Sequence, residues 1–241
     1  MSAQETVLLW HNTDLRVFDN PALTAAAEAG PVVGLVVFDD VEQRAFTDLE
    51  RDLYLIGAHE LTQGYARLGA ELNVLSGDAT ARVIEALRAV GASRLLCSRR
   101  YVDPRGRYRR GLAQRDLDVL EAARAAGYGS LRLHGNTTRD FEETLPDLSR
   151  ADYADEDQLP LSRPPLQLEG RQLPGGQELP PRPEFALSAD PLEWSEEELY
   201  AALKIGTHSI RQLWREYPAL RGALLDWEYG LYQRYWALDP A

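Results

Sequence analysis

The chain has 241 residues and a formal net charge of −12. That length buries a core without staples, and a lone cysteine, Cys97, excludes an internal disulfide framework and a Cys-rich zinc module. No apolar run approaches the roughly 18 residues of a membrane span, the first residues lack a signal-peptide pattern, and the acidic balance argues against DNA binding by the whole surface. A single thiol fits a reducing, cytoplasmic setting.

In chain order, Thr6–Trp10 reads as a short apolar strand. Asn20 is a helix N-cap, with Pro21 at the first helical position, and that helix stops at Gly30. Val32–Phe38 is apolar on both faces, as a central parallel strand requires. Leu49, Leu53, Ile56, Leu61 and Leu68 recur at helical spacing and predict a long helix over Thr47–Leu68. A strand at Glu71–Leu75, a helix at Ala79–Val90, a strand at Ser93–Cys97, a helix at Tyr108–Ala126 and a strand at Ser130–His134 complete the pattern. The alternation predicts an α/β fold: a Rossmann-like five-stranded parallel sheet with helices on both faces, over residues 1–145. Ligands of such sheets sit at the carboxyl ends of the strands, so the loops after Trp10, Phe38, Leu75 and Cys97 are the candidate site.

Residues 146–191 hold nine of the fourteen prolines and read as an extended Pro-rich linker, either disordered or wrapped along the first domain. Residues 192–241 are a short helical C-terminal part. Ser195 and Glu198 form a capping box, and further helices are expected over Ser209–Glu216 and Pro218–Trp236. Four of the five tryptophans lie here, so this part is expected to pack on the first domain or on a partner.

Asp14, Arg16 and Asp19 can bridge the first turn to the next helix as charge-assisted pairs. Seven arginines between Arg99 and Arg115 form either an anion site or a solvated helix face paired to Asp116 and Asp118; the second reading is preferred. His11 ends the first strand and is read as a structural hydrogen-bonding group rather than a ligand contact. His59 is read as a surface or packing residue. No histidine has a metal partner at ligand spacing, so no metal is expected. Cys97 is expected in the core.

The segment Trp10-His-Asn-Thr-Asp-Leu-Arg-Val-Phe-Asp-Asn-Pro-Ala-Leu23 resembles the amino-terminal signature of the photolyase/cryptochrome family, Trp-Phe-Arg-x-Asp-Leu-Arg-x-x-Asp-Asn-x-Ala-Leu. His11 and Asn12 stand where the family has Phe and Arg. Leu75-Ser-Gly-Asp78 and Pro104-Arg-Gly-Arg-Tyr-Arg109 resemble the family's motifs after the third and fourth strands, and Arg51 falls where relatives with a flavin-type antenna carry an Arg. The linker is similar to that of DASH-type cryptochromes. Leu203-Lys-Ile-Gly-Thr-His-Ser-Ile-Arg211 and Leu225-Asp-Trp-Glu-Tyr229 resemble the opening of the helical FAD-binding domain, with Glu228 in place of Arg.

The resemblance implies a truncated, chromophore-binding, antenna-type flavoprotein. An FMN, FAD, deazaflavin or folate chromophore would be held by Trp10, His11, Asn12, Asp14, Arg16, Arg51, Asp103 and Arg107. A complete FAD site and autonomous photolyase (lyase) catalysis are not expected. The light-harvesting domain would act through a protein partner or a homodimer formed by the aromatic C-terminal helices, without binding nucleic acid by itself and without a membrane. Two alternatives are a subunit of a split photolyase completed by another chain, and a ligand-free or nucleotide-binding interaction module.

Overall fold

The computed structural model describes residues 5–101, 110–144, 147–155, 159–170, 172–174 and 176–238. Five parallel strands, β1 (Val7–Trp10), β2 (Val32–Phe38), β3 (Leu72–Ser76), β4 (Arg94–Ser98) and β5 (Gly129–Leu133), form one sheet in the order β3-β2-β1-β4-β5. The period-2 alternation of β1 feeds two cores. Val7 and Leu9 pack with α1 (Pro21–Ala29) and α3 (Asp48–Arg67) on one face. Leu8 and Trp10 pack with α4 (Ala79–Val90) and α5 (Arg110–Ala125) on the other. Cys97 lies fully buried in the second core.

The helix starts follow their capping chemistry. Asn20 Oδ1 accepts from Leu23 N at 2.9 Å, and Thr47 and Glu50 form a reciprocal capping box on α3. The strands keep their places in the chain, with ends shifted by a residue. Within the sheet domain one helix was not expected: α2 (Asp40–Ala45), six residues nucleated by Asp39, whose carboxylate accepts from Val41 N and Glu42 N. Six residues are too few to show a 3.6-residue period.

The Pro-rich segment wraps along the sheet. Leu168 N donates to Leu68 O, Val32 N to Glu169 O, and Gln177 N to Val74 O. Asn73 Oδ1 accepts from Leu173 N at 2.6 Å. This track covers the outer edge of β3, which would otherwise present unpaired backbone groups. The segment also contains a short helix that was not expected, α6 (Arg150–Asp155).

The helical part comprises α7 (Glu196–Ile205), α8 (Ile210–Glu216) and α9 (Arg221–Leu238). Its aromatic residues make a third core with Phe141, Tyr153, Trp227 and Tyr232 at the centre. α7 packs on α3 and ends at Gly206, whose φ of +79° favours glycine. A Cβ at Gly206 would collide with the Thr13 carbonyl, so the small residue lets α7 abut the β1 loop.

Glu228 is fully buried on α9. It accepts from Thr138 N at 2.6 Å and from Thr138 Oγ1 at 2.7 Å, clamping α9 to the loop after β5. Burial raises its pKa, against the hydrogen bonds that lower it. Glu228→Arg, which restores the residue of the resembled motif, is expected to cost about 3 kcal/mol or more, because it buries a cation against donors. Urea denaturation monitored by tryptophan fluorescence checks this.

Candidate functional site

In this strand order the crossovers diverge between β1 and β4, and the crevice at their carboxyl ends is the expected binding position. The β1–α1 loop and the residues after β4 meet there. Asn12 Nδ2 donates to Ser98 O at 2.9 Å and to Asp116 Oδ2 at 2.7 Å, while Ser98 N donates back to Asn12 Oδ1. Arg100 inserts between Asp116 (Nε–Oδ2, 2.9 Å) and Glu42 (Nη2–Oε1, 2.6 Å), and also reaches the Asn12 carbonyl. All of these side chains are buried. At full desolvation such a set is tolerable only because each charge has partners of opposite sign.

Arg115 lies beside this network. Its guanidinium carbon is 5.3 Å from the centre of the Trp10 ring, a cation–π contact. Its Nη2 donates to Asp116 at 2.7 Å and lies 3.5 Å from Glu42. Burial alone would lower its pKa, but Glu42 and Asp116 outweigh that and hold it above its ordinary value. Its Nη1 is buried, 3.8 Å from Asp39 Oδ1, with no hydrogen-bond acceptor among the described residues. Asp39 is already engaged: besides capping α2 it accepts from Ala79 N at the start of α4.

The other residues expected at the site hold the fold. His11 Nε2 is 2.7 Å from Tyr65 Oη, and its Nδ1 is 3.2 Å from Asp14 Oδ1. Tyr65 fits over β2 because Gly34 has no side chain. Asp14 Oδ2 accepts from Ser98 Oγ at 2.8 Å. Arg16 Nη1 donates to Gly206 O at 2.9 Å, joining the β1 loop to the turn after α7. Burial and the nearby Arg211 lower Arg16 to about 10, which leaves it charged at neutral pH.

Arg51 donates to the carbonyls of Gln43 and Phe46 and pairs with Asp48, so its guanidinium finishes α2. Trp10, Asn12 and Asp14 thus gather at the crevice, while His11 and Arg16 tie it to the surrounding elements and Arg51 serves α2. Asp103 and Arg107 lie outside the described residues. So does Tyr108, with which the expected fourth helix begins.

The reading of Arg99–Arg115 as a solvated helix face requires correction at Arg99, Arg100 and Arg115; the side chains of Arg105, Arg107, Arg109 and Arg110 lie outside the described residues. Arg99 and Arg100 directly follow β4 and turn inward, and Arg115 lies on the α5 face that covers Trp10. Among the described residues the pairing with Asp116 holds and Asp118 meets Gln114 instead. Arg99 reaches Tyr235 and Glu142, linking the sheet edge to α9. The cavity lined by Thr13, Arg99, Tyr101 and Lys204 is about 30 Å³, room for a water rather than a ring system. Lys204, the chain's one lysine, is buried against Glu50 at 2.8 Å. Sequence reasoning missed Asp39, Glu42, Glu50 and Lys204. A charged residue in the short segment after β2 was the available signal for the first two.

His134 and His208 are neutral in the fold. Burial, with Arg211 acting on the first and Arg16 on the second, lowers each to about 4. Unfolded histidine titrates near 6.5, so the unfolded chain binds these protons first. Their stabilisation is full above about pH 6.5 and is lost as pH falls towards 4. Glu228, with its raised pKa, acts oppositely: its contribution is full below the ordinary carboxylate value and declines as pH rises. Unfolding free energies from urea titrations at pH 7 and 4.5 are expected to differ by roughly 2 kcal/mol per histidine. His208→Gln should flatten that limb.

Among the described residues no helix is long and apolar enough to cross a membrane, and no cluster of His, Cys, Asp and Glu is disposed to hold a metal. Residues 7–151 match the DNA photolyase family. A deoxyribodipyrimidine photo-lyase of Thermus thermophilus is 39% identical over 113 residues, which are 47% of this chain and 26% of that protein. The crystal structure of a bacterial class III photolyase from Agrobacterium tumefaciens superposes with a TM-score of 0.74 at 18% identity, covering 99% of this chain and 60% of that one. An archaeal photolyase from Sulfolobus tokodaii, solved with two FAD molecules, gives a TM-score of 0.67 at 15% identity, covering 96% of this chain and 57% of that one. At these identities the structural likeness is one of fold. The match to the Thermus protein spans about a quarter of its length. The extent of the family match, with the strand order and the loop residues that carry it, establishes that this chain belongs to the photolyase/cryptochrome family.

Proposed function

We propose that this chain binds a flavin, deazaflavin or folate-type chromophore at the carboxyl edge of its sheet, in a light-harvesting role. The observation that carries this reading is Arg115: a largely buried guanidinium over Trp10 whose Nη1 has no acceptor among the described residues. An orphaned buried donor costs about 1–3 kcal/mol, which an acceptor on a ligand would recover. A planar ring system needs an apolar face and a few donors at its polar edge; Trp10 is fully buried beneath Arg115, so what this pair would offer is the guanidinium, as a donor and a flat surface to stack on. Asp103 and Arg107, in the loop implied by the family resemblance, would complete the contacts. The bound group would supply absorption of near-UV or blue light. This chain's residues would orient it and keep water from it. The Sulfolobus photolyase, solved with two FAD molecules and with the implication of a novel light-harvesting cofactor, supports the chemical class. The buried free thiol of Cys97 is consistent with a cytoplasmic setting.

A second reading, a ligand-free interaction module, is favoured by one observation. Asn12, Asp14, Arg16 and Arg100 are all satisfied by protein partners. Titration with FMN, a deazaflavin and a reduced folate, followed by absorption and fluorescence, separates the two. The first reading expects saturable binding of one of them, weakened at least about tenfold by Arg115→Met, with wild-type melting behaviour retained by an Arg182→Ala control. No uptake of any of the three favours the second.

A further inference from the structure

A separate cleft opens on the opposite side of α3 from Gln43 and Arg51. It lies between α3, the end of the Pro-rich segment and α8, and its volume is about 390 Å³. Clefts of this size hold small organic ligands. Leu53, Ile56, Leu187 and Leu213 give it apolar walls, and Trp194 and His208 stand together at one side, their rings 4.7 Å apart and edge to face. Trp194 Nε1 is spent on Ser188 O at 2.8 Å, so the indole offers the cleft its carbon surface rather than a donor.

His208 is the polar group that stands beside Trp194 in the cleft. Thr207 Oγ1 lies 3.1 Å from Nδ1. That hydroxyl donates its one proton to Ala202 O at 3.3 Å, so it accepts from Nδ1–H and leaves Nε2 as an acceptor. Nε2 has no hydrogen-bond partner among the described residues. Burial, then the nearby Arg16, lowers His208 to about 4, so at pH 7 the ring is uncharged and its Nε2 can accept. The rim carries Arg182, Glu60 and Glu216. Arg182 pairs with Glu60 at 3.1 Å, and Glu216 meets only the uncharged amide of Gln212 among its described partners. The rim is therefore net negative, and a phosphate at the mouth would meet a carboxylate.

We propose that this cleft binds an uncharged nitrogen heterocycle of purine size, as a free base or a nucleoside, and discriminates against the phosphorylated form. The ring would pack between the leucine wall and Trp194, with a ring or exocyclic N–H donating to His208 Nε2. The site is independent of the Trp10–Arg115 crevice, and its test can fail while that reading stands.

Adenosine is the probe, added to the full chain labelled with ¹⁵N-histidine. Long-range imidazole spectra resolve the four histidines, with His208 assigned from His208→Gln. Adenosine is expected to shift the His208 ring signals saturably and to leave His11 unmoved. AMP should bind at least about threefold more weakly, a modest penalty because the rim is exposed, and Glu216→Gln should narrow that gap. Ala186→Trp, at an exposed position lining the cleft, should weaken adenosine at least tenfold. The wild-type shift needs no variant to fold. An unmoved His208 at millimolar adenosine, AMP binding as tightly as adenosine, or Ala186→Trp binding like wild type with an unchanged melt would each overturn the proposal.

Discussion

Asp19→Ala is expected to destabilise the protein by about 3–5 kcal/mol, the cost of leaving buried cations uncompensated. For a chain of this size that corresponds to a fall in Tm of about 10 °C. Asp19 is fully buried and joins all three parts of the chain. Its Oδ2 accepts from Arg211 Nε at 2.8 Å and from Ser209 Oγ, both at the start of α8. Its Oδ1 accepts from Ser162 N in the Pro-rich segment at 2.7 Å, and its carbonyl accepts from Arg16 Nη2 at 2.9 Å. Its backbone has a φ of +46°, a left-handed conformation that aspartate tolerates better than most residues. Asp19→Asn keeps the backbone preference and one acceptor but removes the charge, so it should lie between wild type and alanine. Equal losses for the two would place the effect in packing instead.

Arg100→Met is expected to cost about 3 kcal/mol or more. It removes the cation between Glu42 and Asp116, two carboxylates with side chains about 2–3% exposed, and leaves Arg115 to serve both. Breaking a buried pair exposes the penalty of the partner that remains. The double substitution Arg100→Met, Asp116→Asn should therefore cost less than the sum of the singles, by about 1 kcal/mol or more in a double-mutant cycle. Arg182→Ala removes an ion pair about half exposed on both sides and should change stability by less than about 1 kcal/mol. A comparable loss at Arg182 would show that ionic contacts in this chain do not follow burial.

The sheet was legible because each strand is short, apolar and punctuated. Gly30 closes α1, and Asp78 and Gly91 bracket α4 at the places their cap chemistry demands. Asn20 and the Ser195–Glu198 box announced their helices directly. The helices α2 and α6 were not legible, since one and a half turns carry no periodic signal. The interior of the crevice was harder still. Asp19 meets Arg211 across 192 positions, and Arg100 meets Glu42 across 58. Nothing local in the chain distinguishes an arginine that turns inward after β4 from one on a solvated helix. The β1 loop was recognised as important, yet recognition did not separate its two tasks. Arg16 and His11 hold the loop in place, whereas Trp10 presents a ring to Arg115. Gly206 was visible as part of a motif, but its reason, contact with the Thr13 backbone, required the fold.

The central claim is that the carboxyl edge of this sheet still holds a chromophore. Its most direct measurement is the absorption spectrum of freshly purified, dark-handled protein, with mass spectrometry of the small molecules released by heat. The account predicts a near-UV or blue band with a flavin, deazaflavin or folate released, and loss of that band in Arg115→Met. A spectrum holding only the protein band, unchanged after soaking with all three chromophore types, would contradict it and leave an interaction module built on a family fold.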